Sequence, residues 1–260
     1  MVRLLILGGT SEAAALARAI GDGGEVEVIS SLAGRAGVPD LPGRIRVGGF
    51  GGAEGLEAYL RAEAIDRVVD ATHPFAAHIS AHAETACRAA GVPRLVLARP
   101  LWRREAGDRW IEVDGVAEAA SRLPACGRRA FLTVGAGEVA GFAAVRGVWF
   151  LVRLLQAQAL PLADSRVVTG RPPFSVEAEQ ALMREHAVDV LVAKASGGDA
   201  TFGKIAAARQ LGLPVLMIRR PPSPPGDHVD SVAGAVRWLG DLRGLFPRPQ
   251  HMGVIGGVEP

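Results

Sequence analysis

Two lysines that flank one loop are the residues of this chain best suited to move a proton. The chain holds 29 lysine and arginine residues, of which only Lys194 and Lys204 are lysines. They lie ten residues apart, on either side of the run Ser196–Gly198. A buried ammonium group can release its proton, whereas a guanidinium group practically cannot. The spacing predicts that this loop needs an amine; ordinary surface lysines are the alternative.

A glycine turn near the N-terminus has the residues that a phosphate group requires. The run Val2–Leu7, apolar at every position except Arg3, predicts a buried strand, and Gly8 and Gly9 end it. Thr10 or Ser11 then caps a helix. The free N–H groups and partial positive charge of a helix N-terminus favour an anion. The run is not G-x-G-x-x-G, so a plain strand-to-helix turn remains the alternative.

The end of the second strand indicates which dinucleotide such a turn would hold. Units that bind NAD usually place a carboxylate there, on the ribose 2′-hydroxyl. Here the strand Glu25–Ile29 is followed by Ser30, Ser31, Gly34 and Arg35 instead. Hydroxyl groups and a guanidinium suit a 2′-phosphate. We therefore expect NADPH rather than NADH, with a solvated loop arginine as the alternative.

The run Asp70–Phe75 closes the third predicted strand and supplies a second candidate for proton exchange. His73 would face the ligand and titrates near neutral pH, while Pro74 suits the first turn of a helix. His78 and His82 lie one helical turn apart, but no third ligand follows at a suitable spacing. We therefore predict no metal site.

The elements that must position these residues alternate between short apolar strands and helices. This alternation predicts an α/β fold with parallel sheets, whose ligands bind beyond the carboxyl ends of the strands. Residues 30–55 are rich in glycine and show only weak periodicity. The predicted strands of the first half are 2–7, 25–29, 67–71 and 95–97, and the predicted helices are 11–20, 56–64 and 76–90.

An internal repeat divides the chain into two similar units. Ile65–Val69 matches Val188–Val192, and the pattern Gly-x-Pro, strand, Arg-Pro occurs at both Gly91–Pro100 and Gly212–Pro221. We expect two Rossmann-like parallel-sheet units, with their carboxyl edges facing one interdomain cleft. The expected ranges are 1–98 for an NADPH-binding domain, 99–245 for a substrate-side domain that ends in a helix near 231–239, and 246–260 for a tail.

Composition excludes several classes of protein. The net charge of +2 and the absence of basic runs argue against nucleic-acid binding. No apolar run approaches the length of a membrane span. Two cysteines do not make a disulfide framework, so a reducing cytoplasm is expected. Tyr59 has no lysine near it, and G-x-S-x-G and P-loop motifs are absent.

Taken together, these segments resemble the precorrin-6A reductase family, whose members are NADPH-dependent enzymes of corrin-ring (vitamin B12) biosynthesis. The matching stretches run in order over nearly the whole chain, and Asp70–Ala76 is the most specific of them. Pro172 and Ala195 stand where the family often has glycine and asparagine. The matching stretches are Leu5–Ala13, Ser31–Arg35, Gly48–Gly52, Asp70–Ala76, Arg171–Phe174 and Lys194–Gly198.

The resemblance implies that NADPH gives a hydride to one carbon of a precorrin-6A double bond while an acid protonates its neighbour. Our hypothesis is that Lys204, or a water held by it, is the proton source, with His73 as the second candidate. The implied cofactor-binding residues are Gly8, Gly9, Thr10, Ser11, Glu12, Ser31, Gly34, Arg35, Ala71, Thr72, His73 and Pro74. The implied substrate-binding residues are Gly135, Lys194, Ser196, Gly197, Gly198, Thr201 and Lys204.

Several alternatives remain open at this level. The tetrapyrrole substrate can be metal-free or, as in the anaerobic route, contain cobalt. Another NADP(H)-dependent reductase on the same frame fits the pattern, as does a non-catalytic protein whose two lobes close on a small ligand. Neighbouring enzymes of the pathway are possible partners, and neither a nucleic acid nor a membrane is expected as one.

Overall fold

Two six-stranded parallel sheets form the framework of the protein. The structure is a computed structural model, and it describes residues 1–21, 25–34 and 39–241. The strands are β1 (Val2–Leu7), β2 (Val26–Leu32), β3 (Arg44–Val47), β4 (Arg67–Asp70), β5 (Arg94–Leu97), β6 (Arg109–Val113), β7 (Arg129–Leu132), β8 (Trp149–Leu154), β9 (Ser165–Thr169), β10 (Val190–Lys194), β11 (Pro214–Ile218) and β12 (Asp227–Val229).

Eight α-helices flank these strands in the described part of the chain. They are α1 (Ser11–Ile20), α2 (Ala53–Ala62), α3 (Ala77–Ala90), α4 (Val116–Cys126), α5 (Ala136–Val139), α6 (Val176–Glu185), α7 (Gly203–Gln210) and α8 (Val232–Asp241). Short 3₁₀ helices follow α5 at Ala140–Phe142 and precede α7 at Asp199–Thr201. The expected α/β class and the two parallel-sheet units are thus confirmed.

The two sheets share one strand order, which confirms the internal repeat. The first runs β12-β5-β4-β1-β2-β3 and the second runs β6-β11-β10-β7-β8-β9. When β7–β11 are matched to β1–β5 and the edge strands β12 and β6 are each counted as sixth, both sheets read 3-2-1-4-5-6. This is the doubly wound order in which ligands bind beside the first and fourth strands. The repeated segments form β4 and β5 in one unit and β10 and β11 in the other.

The sixth strand of each sheet comes from the chain that has just left the other sheet. β6 follows β5 along the chain but pairs with β11, whereas β12 follows β11 but pairs with β5. Helix α8 then packs on α1. Residues 227–241 therefore belong to the first unit, and their assignment to a second domain spanning 99–245 is wrong. A short strand shows its period in the sequence but not which free sheet edge it will join.

Each sheet is covered by apolar side chains on both faces, as its continuous apolar strands require. Leu4 and Ile6 of β1 pack on one face, beneath α1 and α8. Leu5 and Leu7 pack on the other, beneath α2 and α3. The structure also corrects two boundaries: β2 extends to Leu32, and the stretch predicted as an irregular connection contains β3.

Three further observations concern membrane spans, cysteines and metal sites. Among the described residues, no helix is both long and apolar enough to cross a membrane. Cys87 and Cys126 are free thiols. The described ranges contain no group of three or more histidine, cysteine, aspartate or glutamate side chains arranged to hold a metal ion.

The exchange of strands predicts that the two units unfold together. Leu4 and Phe131 are fully buried, one in each unit, and replacing either with alanine should cost about 3 kcal/mol. In urea, we expect either variant to shift one common transition. Two fluorescent variants report the units separately. A chain that keeps only Trp238 of α8 reports the first unit, and a Trp238→Phe chain, which keeps the other three tryptophans, reports the second. Separate midpoints for the two signals would show that the units are independent.

Candidate active site

The loops at the carboxyl ends of the two sheets meet where the units face each other. Phe75, which follows β4, packs against the core of the second unit. Its ring lies 4.9 Å from the ammonium group of Lys194 at the end of β10. Arg99, which follows β5, reaches the carbonyl of Ser196 in the second unit. The residues predicted from the two halves of the sequence therefore share one region.

The glycine turn after β1 has a geometry that fits a dinucleotide phosphate. Gly9 has a φ of +105°, which only glycine adopts without strain, and a Cβ built there would meet nothing within 4 Å. Thr10 caps α1 by accepting from the Ala13 N–H, and its hydroxyl donates to the Ala71 carbonyl. The first N–H groups of α1, at Ser11 among others, have no intrahelical acceptor. An anion can approach them over the open side of Gly9.

The end of β2 places a hydroxyl and a guanidinium side by side. Ser31 is buried, and Nη1 of Arg46 on β3 lies 3.5 Å from its hydroxyl oxygen. The Arg46 guanidinium also lies 3.8 Å from the Phe50 ring centroid. Gly34 has a φ of +77° at the same edge, and the predicted phosphate reader Arg35 lies outside the described residues. Arg46 was missed by sequence reasoning, although the matched run Gly48–Gly52 follows it.

Asp70 is buried beside the predicted cofactor residues and retains an open acceptor. Its Oδ1 accepts from both the N–H and the hydroxyl of Thr72. Its Oδ2 has no hydrogen-bond partner among the described residues. A cavity of about 30 Å³, also lined by Pro74 and Ser80, adjoins the carboxyl group. A buried acceptor without a donor is uncommon. The cavity is large enough for a water or a ligand group that donates a hydrogen bond to Oδ2 of Asp70.

His73 is a neutral ring in this setting. Burial, followed by the charges of Lys194 and Arg99, lowers the pKa of His73 to about 3. Nδ1 accepts from the Phe75 N–H, which places the remaining ring proton on Nε2. At pH 7 the side chain can therefore donate one hydrogen bond from Nε2, but it carries no additional acidic proton.

Lys194 is already paired in the second unit. Its Nζ lies 2.6 Å from Oε2 of Glu138, and the same oxygen accepts from the Gly135 N–H. Gly135 precedes the short helix α5 and is exposed. The predicted substrate residues Gly135 and Lys194 thus lie side by side, with a carboxylate between them that sequence reasoning missed.

Lys204 is buried in the first turn of α7. Its Nζ donates to the Thr201 carbonyl and lies 5.4 Å from the Trp102 ring centroid. Burial lowers the pKa of Lys204 to about 8, although the nearby carboxylate of Glu179 raises it. Glu179 is itself held by a buried bidentate pair with Arg153. An ammonium group with this pKa can donate a proton near neutral pH.

Arg99 joins the predicted cofactor turn to the predicted substrate loop. It is 8% exposed, and its Nη1 contacts the Glu12 carboxylate at 3.2 and 3.3 Å while its Nε donates to the Ser196 carbonyl. A Cβ on Gly198 would lie 2.5 Å from Cδ of Arg99. Arg220 donates to the carbonyls of Arg99 and Ser196. Both arginines belong to the repeated Arg-Pro pairs, the signal that could have identified them.

The other members of the loop after β10 are placed by the same contacts. A Cβ on Gly197 would lie 2.0 Å from the Pro100 carbonyl, so the two chains pass too closely for any side chain. Thr201 is partly buried, and its hydroxyl has no partner among the described residues. The contacts thus bring Glu12 and Ser196–Gly198 together. Ser31 and Gly34 lie on the other side of β1 from β4, at and just beyond the end of β2.

Comparison with known proteins finds the same similarity across almost the entire chain. A family model described as precorrin-6x reductase CbiJ/CobK matches residues 3–240. The chain is 51% identical over 245 residues to a precorrin-6A reductase of Rhodococcus erythropolis, with 93% of this chain and 99% of the relative covered. It is 28% identical to a cobalt-precorrin-6A reductase of Salmonella typhimurium, with 91% and 96% covered.

A solved structure agrees with the fold. The structure titled CobK precorrin-6A reductase superimposes with a TM-score of 0.88 at 43% sequence identity. The match covers 95% of this chain and 99% of that one.

The buried contact between Arg99 and Glu12 predicts a large coupling free energy. Removing one partner leaves the other as an unpaired, largely buried charge, which typically costs about 3–5 kcal/mol. We expect Arg99→Met to lower the free energy of unfolding by about that amount. Adding Glu12→Leu should recover part of the loss, because no charge is then left alone. Urea unfolding of the parent, both single variants and the double variant measures the coupling; additive effects would contradict it.

Proposed function

The chain belongs to the CbiJ/CobK family of precorrin-6x reductases, and we infer that it reduces one carbon–carbon double bond of precorrin-6A in cobalamin biosynthesis. The observation that carries this is the similarity over residues 3–240 to proteins named for that activity. A reductase of this family implies a nicotinamide cofactor. We propose the metal-free substrate, since the precorrin-6A reductases are 43–51% identical and the cobalt-precorrin-6A reductase of Salmonella typhimurium is 28% identical.

We propose NADPH as the cofactor, bound along the carboxyl edge of the first sheet. When bound, it supplies the hydride. The turn at Gly8 and Gly9 and the N-terminus of α1 would hold its diphosphate, and Ser31 with Arg46 or Arg35 would hold the 2′-phosphate. The loop from Ala71 to Pro74 would lie against the nicotinamide end, because β4 is the neighbour of β1 across the switch point.

On the substrate side, we propose that residues of the second unit hold the macrocycle's carboxylates and provide the proton. Lys194 suits carboxylate binding because its ammonium group has two further donors besides the one paired with Glu138. The N–H groups near Gly197 suit it too, and Gly135, whose own N–H is held by Glu138, lies beside Lys194. Lys204 would protonate the carbon next to the one that receives hydride, directly or through a water that it holds. His73, which is neutral, would donate a hydrogen bond from Nε2 rather than a proton. Support for this division comes from the pKa of about 8 for Lys204 and about 3 for His73.

The assignment is tested by anaerobic turnover. Precorrin-6A and cobalt-precorrin-6A are each supplied with NADPH or NADH, and the loss of reduced cofactor is followed by absorbance. We expect turnover only with precorrin-6A and NADPH. Tight NADPH binding without turnover of either macrocycle would contradict the proposed substrates and leave the cofactor assignment intact. Absence of NADPH binding would instead favour a non-catalytic two-lobed binding protein.

We also propose that the enzyme acts in the cytoplasm, with the tetrapyrrole as its partner and possible contacts to neighbouring pathway enzymes. The free thiols of Cys87 and Cys126 support a reducing compartment.

Replacing Arg46 tests the assignment of the 2′-phosphate site. We expect Arg46→Ala to raise the Kd of NADPH about tenfold, the loss of one charge-assisted hydrogen bond, and to leave the Kd of NADH unchanged. Arg44→Ala on the same strand is the matched control, because Arg44 pairs with Glu27 and Glu63 on the surface. Arg35→Ala is measured in parallel by cofactor fluorescence. If neither Arg46 nor Arg35 distinguishes the two cofactors, the proposed site is wrong.

Replacing Lys204 tests the proton source. The donor must be protonated, so kcat of the parent should fall as pH rises through about 8, the pKa of Lys204. Lys204→Met keeps an unbranched side chain one atom shorter and removes the buried charge. We expect it to lose turnover at least a hundredfold, with the Kd of NADPH unchanged and no loss of stability at pH 7. Normal turnover by the Lys204→Met variant, or a parent profile that is flat to pH 9, would exclude Lys204 as the donor.

A further inference from the structure

A second pocket lies at the amino-terminal edge of the second sheet, at the other end of its strands from the candidate active site. It has a volume of about 430 Å³. Its walls come from the residues before β7 and β8 and from the segment before β9. The six residues of β8 span about 20 Å at a rise of about 3.3 Å per residue, so the two sites are well separated.

The walls of this pocket carry three arginines and a single carboxylate. The arginines are Arg128, Arg129 and Arg146, and the carboxylate belongs to Asp164. Arg129 donates through Nε to the His186 carbonyl, and Arg146 donates through Nη1 to nearby carbonyls. In the part of the chain that the structure describes, no acceptor contacts the guanidinium of Arg128. Since each guanidinium has five N–H donors, most of them remain available to a ligand.

A second acid beside the pocket, the partly exposed Asp189, does not pair with the arginine side chains. The carboxylate of Asp189 accepts from the main-chain N–H groups of Arg128 and Arg129 instead. It therefore fixes the backbone at the start of β7 and leaves the guanidinium groups directed elsewhere. Clustered cations repel one another unless an anion lies between them.

One part of the pocket lining is apolar. Val145, Leu162 and Trp149 are partly exposed there, and the first two cover the buried core residues Phe142, Val148 and Phe150. At one side the guanidinium of Arg129 lies 4.1 Å from the centroid of the Trp149 ring. The volume falls within the range of small-molecule sites, which combine an apolar lining with a few charged groups. A simple inorganic anion would use the arginines but leave the partly exposed side chains of Val145, Trp149 and Leu162 in contact with water.

We propose that this pocket is a second ligand site, for a small organic anion that carries an apolar ring. Its carboxylate, phosphate or sulfonate group pairs with Arg128 and Arg146, and its ring packs on Val145 and Leu162. The site does not depend on the proposed reaction, because none of the residues assigned to NADPH or to the macrocycle lines it.

The test uses 8-anilinonaphthalene-1-sulfonate, an anion whose fluorescence rises in an apolar site. We expect saturable binding at one site in the full-length protein, with saturating NADPH unable to displace the probe. Arg128→Ala/Arg146→Ala should raise its Kd at least tenfold, since two charge-assisted hydrogen bonds are lost. Both arginines are exposed, so the variant should keep the parent's urea midpoint. Arg166→Ala is the control, because Arg166 is an exposed arginine of β9 outside the pocket.

A second probe separates charge recognition from general apolar binding. N-phenyl-1-naphthylamine has the same rings without the sulfonate, and we expect it to bind at least tenfold more weakly. Equal binding of the two probes, or an unchanged Kd in the double variant, would overturn the proposal. Displacement of the sulfonate by NADPH would do the same, because it would place the probe in the active-site region.

Discussion

The two units meet around a buried cation, the guanidinium of Arg99. Such a group is stable away from water only when acceptors surround it. The Glu12 carboxylate of the first unit and the Ser196 carbonyl of the second provide them. Glu12 lies in the first turn of α1, the helix that follows the glycine turn, and Ser196 belongs to the loop that leads to Lys204. One desolvated charge thus fixes the position of the predicted cofactor side relative to the predicted substrate side.

The exchange of sixth strands explains why Arg99 and Arg220 lie at this position. In each unit an Arg-Pro pair follows the end of the fifth strand after one intervening residue, and the chain then crosses to the other sheet. Proline cannot donate to a sheet, so the pairing does not resume before the crossing. The two crossings run side by side, and Arg220 donates to the carbonyl of Arg99. The repeated Arg-Pro pairs therefore mark the place where the two units contact each other, as well as the similarity between the units.

An excess of positive charge distinguishes this region chemically. Besides burial, four nearby cations lower the pKa of His73: Lys194, Arg99, Lys204 and Arg220. The same field, added to burial, lowers the pKa of Lys204, while Glu179 limits the effect. Such a region attracts a substrate with many carboxylates and keeps one ammonium group ready to release its proton. The function that we infer needs both properties at one place.

Local sequence was sufficient for the features that depend on neighbouring residues. Apolar runs and glycine turns predicted the strands around the site, a helix cap at Thr10 or Ser11, and the two-unit α/β fold. The short motifs placed His73 at a strand end and Lys204 in the helix that follows the loop after β10. Local sequence was not sufficient for contacts between distant segments. It did not show that β12 would join the first sheet, that Arg99 would bridge the two units, that Glu138 would pair with Lys194, or that Arg46 would lie beside Ser31. These depend on which free sheet edge and which buried charge lie nearby in space. Periodicity records how a residue is buried, whereas only tertiary structure decides against what it is buried.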